Sequence, residues 1–353
     1  MVNRKMYRPA VTALAGYVPG EQPPPGKYIK LNTNENPYPP PSEVVDAIKH
    51  AAEGPLNRYP DPMANAFRIA AAEALGLPGP EWVLAGNGSD EILTLLVRGF
   101  VGEGEKLRMP FPSYILYRTL ADIQGAVWEQ VSFNDQWELP AEFSDAAGNL
   151  KLALLPNPNS PSGTVVSRSH IVELSDRLEC PLVVDEAYAD FADENCVSLV
   201  LEHDNILITR TLSKSYGLAG IRFGFLIAKP EVVAELSKIK DSYNCDAISI
   251  AAATAAMKCS GWLAENCRKI IATRTRMSVE LEKLGFLVTP SHANFVWCRH
   301  QQIRHAEIYE FLKSQQVLVR LMDFGESGDG LRISVGTDQQ IDAVLHLLKS
   351  YLS

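Results

Sequence analysis

Several kinds of protein are excluded by what this chain lacks. Its six cysteines (Cys180, Cys196, Cys245, Cys259, Cys267, Cys298) include no C-x-x-C pair and no metal-type spacing, so reduced thiols in apolar surroundings are expected. Its seven histidines are scattered, and a gap of five between the closest pair, His300 and His305, is wrong for two ligands on one helix face. No metal site is therefore expected. The chain has no long basic run and a net charge of −9, which argues against nucleic acid or an anionic membrane as partner. Any anionic ligand must be held by local arginines and helix ends. No apolar run reaches membrane length; the longest candidate, Ala247 to Met257, is an Ala-rich helix interrupted by Ser and Thr. The opening Met-Val-Asn-Arg-Lys leads into no apolar signal core, so a cytoplasmic protein is expected. Internal repeats and low-complexity segments are missing too.

What is present is ordinary globular composition, 46% hydrophobic and 21% charged, over 353 residues, a length that suggests two domains. Residues 1–40 are proline-rich and irregular, yet Tyr17, Tyr28, Leu31 and Tyr38 are interleaved there. That density suits an arm laid over another surface better than a solvated tail. Ser42 is expected to cap a helix with Val44, Val45 and Ile48 on one face, and Asn57-Arg-Tyr-Pro-Asp-Pro62 to form a turn with Tyr59 in the open. From Trp82 onward apolar strands alternate with helices. These strands are Val/Ile/Leu runs without period-two alternation, as in a mostly parallel sheet covered by helices on both faces. After helices at about 231–240, 246–258 and 262–284 the rhythm changes to α+β. The expected division is an arm (1–40), a large α/β domain (41–258) and a small α+β domain (259–353).

Ligands to such sheets gather beyond the carboxyl ends of the strands. Gly86–Glu91, Tyr114, Asn157–Gly163, Asp185–Tyr188 and Ser213–Arg222 all fall at or just past such ends. Gly86-Asn-Gly-Ser-Asp-Glu91 joins a strand to a helix and leaves free backbone N–H groups for an anion, while Asp90 and Glu91 also suit the helix dipole. Lys214 lies in a Ser/Gly-rich turn between two buried strands, with Ser213 and Ser215 beside it and Arg222 eight residues on. A lysine in such a turn is either solvated or, if held among apolar strands, a nucleophile beside a phosphate cradle. Asp185 follows three apolar residues and needs a cationic partner, either an arginine or a protonated heterocycle. Tyr188 and Asn159 are candidates for a phenolic oxygen, and Tyr114 for stacking on a ring.

Asn159-Ser-Pro-Ser-Gly163, Asp185-Glu-Ala-Tyr188 and Ser213-Lys-Ser-Tyr-Gly-Leu-Ala-Gly-Ile-Arg222, in this order, resemble the fold-type I pyridoxal phosphate aminotransferases. More narrowly, five further motifs resemble the histidinol-phosphate aminotransferases: Tyr17-Val-Pro-Gly-Glu-Gln-Pro23, Leu31-Asn-Thr-Asn-Glu-Asn-Pro37, Asn57-Arg-Tyr-Pro60, Gly88-Ser-Asp-Glu91 and Leu331-Arg-Ile-Ser-Val-Gly-Thr337. The resemblance runs from about residue 10 to the C-terminus. It implies that Lys214 carries pyridoxal 5'-phosphate as an internal aldimine and shuttles the proton, that Asp185 holds the pyridinium, and that Tyr188 binds the phenolic oxygen while Tyr114 stacks. Gly88, Ser89 and Asp90 by their backbone, with Ser213 and Arg222, would hold the cofactor phosphate. Tyr59 would reach that phosphate from the other subunit of a homodimer. Arg332 and Arg320 would clamp the substrate's anionic group, with Tyr17 and the Asn32–Asn34 loop closing over it.

One departure stands out: the family has Asn directly before its Pro-Thr-Gly element, and here Ser160 takes that place. Asn159 is expected to reach the phenolic oxygen instead; the alternative is a weaker contact from Ser160. The implied reaction is a ping-pong transamination between L-histidinol phosphate and 2-oxoglutarate in histidine biosynthesis. An aromatic amino-acid aminotransferase and a threonine-phosphate decarboxylase of the same superfamily are the rivals. A cofactor-sensing regulator would need a DNA-binding segment, for which the chain has no spare basic stretch.

Overall fold

The computed structural model describes residues 6–14, 20–24 and 26–352. The chain starts with α1 (Pro9–Ala13), β1 (Ile29–Lys30), α2 (Ser42–Ala52) and α3 (Asn65–Leu75). Pro41, not Ser42, occupies the cap position of α2, and Ser42 bonds the neighbouring Glu43 carboxylate at 3.1 Å instead. Val44 is buried, but Val45 lies at the solvent edge, so the expected apolar face is narrower than three residues. Gly76, in the left-handed region, ends α3.

A strand–helix alternation follows: β2 (Val83–Gly86), α4 (Ser89–Phe100), β3 (Lys106–Phe111), α5 (Leu116–Gln124), β4 (Val127–Ser132), β5 (Leu150–Pro156), α6 (Arg168–Arg177), β6 (Leu182–Asp185), α7 (Leu199–Glu202), β7 (Ile206–Thr211) and β8 (Gly224–Ile227). These strands form one sheet in the order β2-β8-β7-β6-β5-β3-β4. Every neighbour pair is parallel except those made by β8, which runs against both β2 and β7. Successive residues face opposite sides. Leu154, Val183, Leu207 and Leu226 enter a core shared with α4 and α5. Leu155, Val184, Ile208 and Ile227 enter another, shared with α3, α6 and α9 (Ala247–Met257). With both faces covered, no strand needs a polar side, which is why period-two alternation is missing from the sequence.

After α8 (Pro230–Ser237) and α9 comes the long α10 (Ser260–Lys283). Then follow β9 (Phe286–Thr289), β10 (Phe295–His300), α11 (His305–Ser314), β11 (Val317–Leu318), β12 (Arg320–Asp323), β13 (Asp329–Ser334) and α12 (Asp338–Leu352). An antiparallel sheet in the order β12-β13-β10-β9 packs Val296, Leu331 and Ile333 against Leu281, Leu312 and Val344 of the helices. Residues 317–323 hold two short strands: β11 pairs in parallel with β1 of the arm, and β12 starts at Arg320 and pairs with β13. Leu31 of the arm is buried in this same core. Among the described residues no single helix is long and apolar enough to cross a membrane.

Candidate active site

The carboxyl ends of the parallel strands carry the chemistry. At the end of β2, Gly86-Asn-Gly88 turns the chain into α4, with Gly88 at φ +83°. A side chain at Gly88 would meet the Arg222 guanidinium at 2.7 Å, so glycine lets that cation approach the helix start. Gly224 is tighter: a Cβ there would lie 2.3 Å from the Ser89 nitrogen and 2.6 Å from the Gly88 carbonyl carbon. Arg222, itself left-handed at φ +54°, donates to Ser213 Oγ at 3.4 Å and lies 3.5 Å from the Asp90 carboxylate. The backbone amides at the start of α4, the Ser213 hydroxyl and the Arg222 guanidinium thus form one anion cradle. Tyr114 stands over it, donating to Asp90 at 3.2 Å and meeting Tyr117 edge to face.

Asp185 ends β6 on the face of Val183, directed toward α5. It is buried, and its carboxylate accepts hydroxyl hydrogen bonds from Tyr117 (2.7 Å) and Thr209 (3.0 Å). Burial pushes its pKa up, the two hydroxyls pull it back, and the Asp90 charge raises it again. The cation that its sequence context demands is thus no arginine among these partners. A hydrogen-bonded anion left open to a cationic N–H fits a protonated heterocycle.

Lys214 follows β7, and its Nζ donates to the Thr33 carbonyl at 3.4 Å, 5.7 Å from the centre of the Tyr188 ring. Tyr188 Oη accepts from Asn34 Nδ2 at 2.9 Å and so keeps its own hydrogen for another acceptor. Asn34 is held at φ +55° by bonds from its amide to Ser334 Oγ (2.8 Å), from Ser334 Oγ to its Oδ1 (3.1 Å) and from Asn294 Nδ2 to its carbonyl (3.0 Å). Three bonds from two residues over-determine a conformation a non-glycine residue rarely adopts.

Arg320 and Arg332 are direct register partners on β12 and β13, so their side chains share one face. Like charges placed opposite each other repel, and an anion between them relieves this. Arg332 donates to Ser160 Oγ (2.9 Å) and to the Asn32 carbonyl (3.3 Å). The amide of Asn159 donates to the Pro112 carbonyl (3.2 Å) and to Ser162 Oγ (2.9 Å). Both its amide hydrogens are engaged within the chain, its Oδ1 is buried without a hydrogen-bond partner, and Ser160 stands at the arginine. Tyr59 is exposed, as expected of its turn, and stacks on Tyr243 at 4.3 Å and 12°. The adjoining Asn244 donates to the Ala85 carbonyl (3.1 Å) and the Glu91 carboxylate (2.9 Å) beside the anion cradle. Tyr17 lies outside the described residues.

Sequence reasoning missed Tyr117 and Thr209 on Asp185, and Asn36, whose amide bonds the carbonyls of Lys214 and Ser215 (3.0 and 2.9 Å). Thr209 carried a signal, a hydroxyl within an apolar strand; Tyr117 reads as an ordinary core tyrosine. Missed as well was a buried cluster in which Arg210 pairs with Glu186 and Asp190, each at 2.8 Å. Among the described residues no group of His, Cys, Asp and Glu is placed to hold a metal ion.

Comparison with known proteins bears on this arrangement. The family model "Aminotransferase class I and II" matches residues 26–348. A histidinol-phosphate aminotransferase of Rhodopirellula baltica is 73% identical over 343 residues, 97% of this chain and 95% of that protein. One from Geotalea uraniireducens is 44% identical over 97% of this chain and 98% of its own length. A crystal structure of histidinol-phosphate aminotransferase from Sinorhizobium meliloti in complex with pyridoxal-5'-phosphate superposes with a TM-score of 0.88 at 25% identity, covering 99% of both chains.

Proposed function

The chain belongs to the class I and II aminotransferases, and on that footing we propose that it is a histidinol-phosphate aminotransferase of histidine biosynthesis. It moves the amino group of L-histidinol phosphate to 2-oxoglutarate, giving imidazole acetol phosphate and L-glutamate in two half-reactions. The observation that carries this reading is the 73% identity to such an enzyme along nearly the whole chain. The aromatic-aminotransferase and decarboxylase alternatives have no comparable support.

The cofactor is pyridoxal 5'-phosphate, which the residues fit at its phosphate, ring and aldehyde ends. When bound it supplies the electron sink for the bond broken at the substrate's Cα. The start of α4, Ser213 and Arg222 grip the phosphate, and Tyr114 lies against the ring. Asp185 holds a proton on the ring nitrogen, and a buried carboxylate bonded by two hydroxyls and a backbone amide, with no cation among these partners, supports that role. Tyr188 donates to the phenolic oxygen, with the Ser160 hydroxyl as its neighbour. Lys214 carries the cofactor and, once freed, moves the proton at the substrate's Cα. Arg320 and Arg332 take the substrate's phosphate, with Asn34 closing the mouth.

The working form is a homodimer in which Tyr59 reaches the partner's phosphate cradle. The exposed Leu56, Tyr59 and Tyr243 side chains support this, since exposed apolar groups gathered in one place mark interaction surfaces. Six unpaired cysteines suit a reducing compartment and support the cytoplasm. The division into an arm (1–40), a large domain (41–258) and a small domain (259–353) is supported by the separate apolar cores of the two sheets.

Turnover of L-histidinol phosphate, phenylalanine and threonine phosphate by the purified protein tests the reading. Histidinol phosphate should be transaminated well above phenylalanine, and a preference for phenylalanine overturns the substrate. Lys214→Ala should abolish steady-state turnover while leaving the fold intact; retained turnover overturns the role of the lysine.

A further inference from the structure

The short segment carrying Lys214 is gripped from three distant parts of the chain. From the arm, the Asn36 amide donates to both the Lys214 and the Ser215 carbonyls. From α10, Asn266 Nδ2 donates to the Ser215 carbonyl at 2.9 Å, and Asn266 is almost fully buried. From the loop after β6, the Asp190 carboxylate accepts the Ser215 hydroxyl, and its other oxygen is paired with Arg210 at 2.8 Å. Arg210 in turn is fixed by Glu186, itself bonded by the Cys196 amide. Ser215 is 1% exposed, and the protein supplies partners for its carbonyl and its hydroxyl.

These contacts differ from the ordinary satisfaction of a loop, because they converge on the two carbonyls and the one hydroxyl flanking the reactive lysine. A lysine has four rotatable bonds and aims its amine poorly unless its own backbone is fixed. The arm carries asparagines at alternate positions: the Asn32 carbonyl bonds Arg332, the Asn34 amide bonds Tyr188, and the Asn36 amide bonds the lysine segment. One short stretch thus ties the substrate arginine, the phenol and the lysine to a common frame.

We infer that Asn36, Asn266 and Asp190 form a clamp on the Lys214–Ser215 peptide and are positioning residues that aim the lysine amine. The inference deepens the reading under Proposed function and rests on Lys214 being the reactive amine. It has a readout independent of that reading. The Leu218 amide bonds the Leu212 carbonyl at 3.1 Å and closes the loop around Lys214, so its hydrogen exchange in the cofactor-free protein reports loosening of the segment.

Asn36→Ala and Ser215→Ala should each speed exchange at Leu218 while leaving exchange in β5 and β6 unchanged. In the holoenzyme, Asn36→Ala should lower kcat on the order of tenfold with KM little changed, a fraction of the ~10²-fold that a 1 Å misplacement costs. Asn36→Asp, which turns carboxylate oxygens toward two carbonyls, should lower kcat on the order of 10²-fold. Unchanged Leu218 exchange in both alanine variants overturns the clamp. So does a kcat loss that merely follows a fall in Tm, or one matched by an equal rise in KM. Should the wild-type protein fail to transaminate, the functional reading falls while the exchange measurement still decides the clamp.

Discussion

Asp185 and Glu186 are consecutive carboxylates at the end of one strand, both almost fully buried, and their surroundings differ completely. Glu186 meets a guanidinium at 2.8 Å and a backbone amide, so its charge is balanced within the chain. Asp185, facing the other side of the sheet, receives two hydroxyls and the Ala187 backbone amide, with no cation among these partners. The balanced carboxylate belongs to the scaffold. The unbalanced one costs the protein stability, and on the proposed reading its counter-charge is the cofactor's ring N–H, which would separate a structural acid from a working one.

The largest effect should come from breaking the balanced side. Arg210→Ala leaves Glu186, buried, and Asp190, half-buried, without their cationic partner and should cost about 3–5 kcal/mol of stability, read by denaturant unfolding. Removing the charge on the other side should move activity instead. Asp185→Asn should lower kcat about 10²–10³-fold, roughly 2.7–4 kcal/mol, the loss typical when one preorganised electrostatic partner is removed.

The same variant sharpens the contrast through pH. The pKa of Asp185 is raised in the folded chain, so ionisation opposes folding once the pH passes the unfolded value. Cofactor-free Asp185→Asn should therefore have a higher Tm than wild type at pH 7, with the gap closing as the pH falls below the ordinary carboxylate value of 3.8. An equal or lower Tm at pH 7 would show that Tyr117 and Thr209 compensate the charge fully. The smallest effect should be at the surface: Arg276, partly exposed between Asp338 and Asp342, should cost less than about 1 kcal/mol on replacement by alanine.

The sequence made the reactive groups legible because Lys214, Asp185, Tyr188 and Arg222 sit at strand ends in short contiguous motifs, where pattern and chemistry coincide. The groups that tune them were not legible. Tyr117 reaches Asp185 across 68 positions and Asn36 reaches Lys214 across 178, distances at which only the folded chain decides who meets whom. Ser42 was misread for a local reason: Pro41 already supplies the extended backbone that starts the helix. The Arg320–Arg332 pairing needed the register of β12 on β13, which the two-residue β11 before it concealed. Asn159 satisfied the motif by position, yet Pro112 and Ser162 engage its amide.

Gly224 leaves a mark on what this enzyme's descendants can be. Its α-hydrogen faces the Ser89 nitrogen, the Gly88 carbonyl carbon and, at 2.9 Å, the Arg210 carbonyl, all of them main-chain atoms with no rotamer to yield. A methyl group in that gap would push the start of α4 away from Arg222 and open the anion cradle. A saturation library at this codon should return glycine alone among active clones. The family's freedom to drift therefore stops, at this point, at the size of a single hydrogen atom.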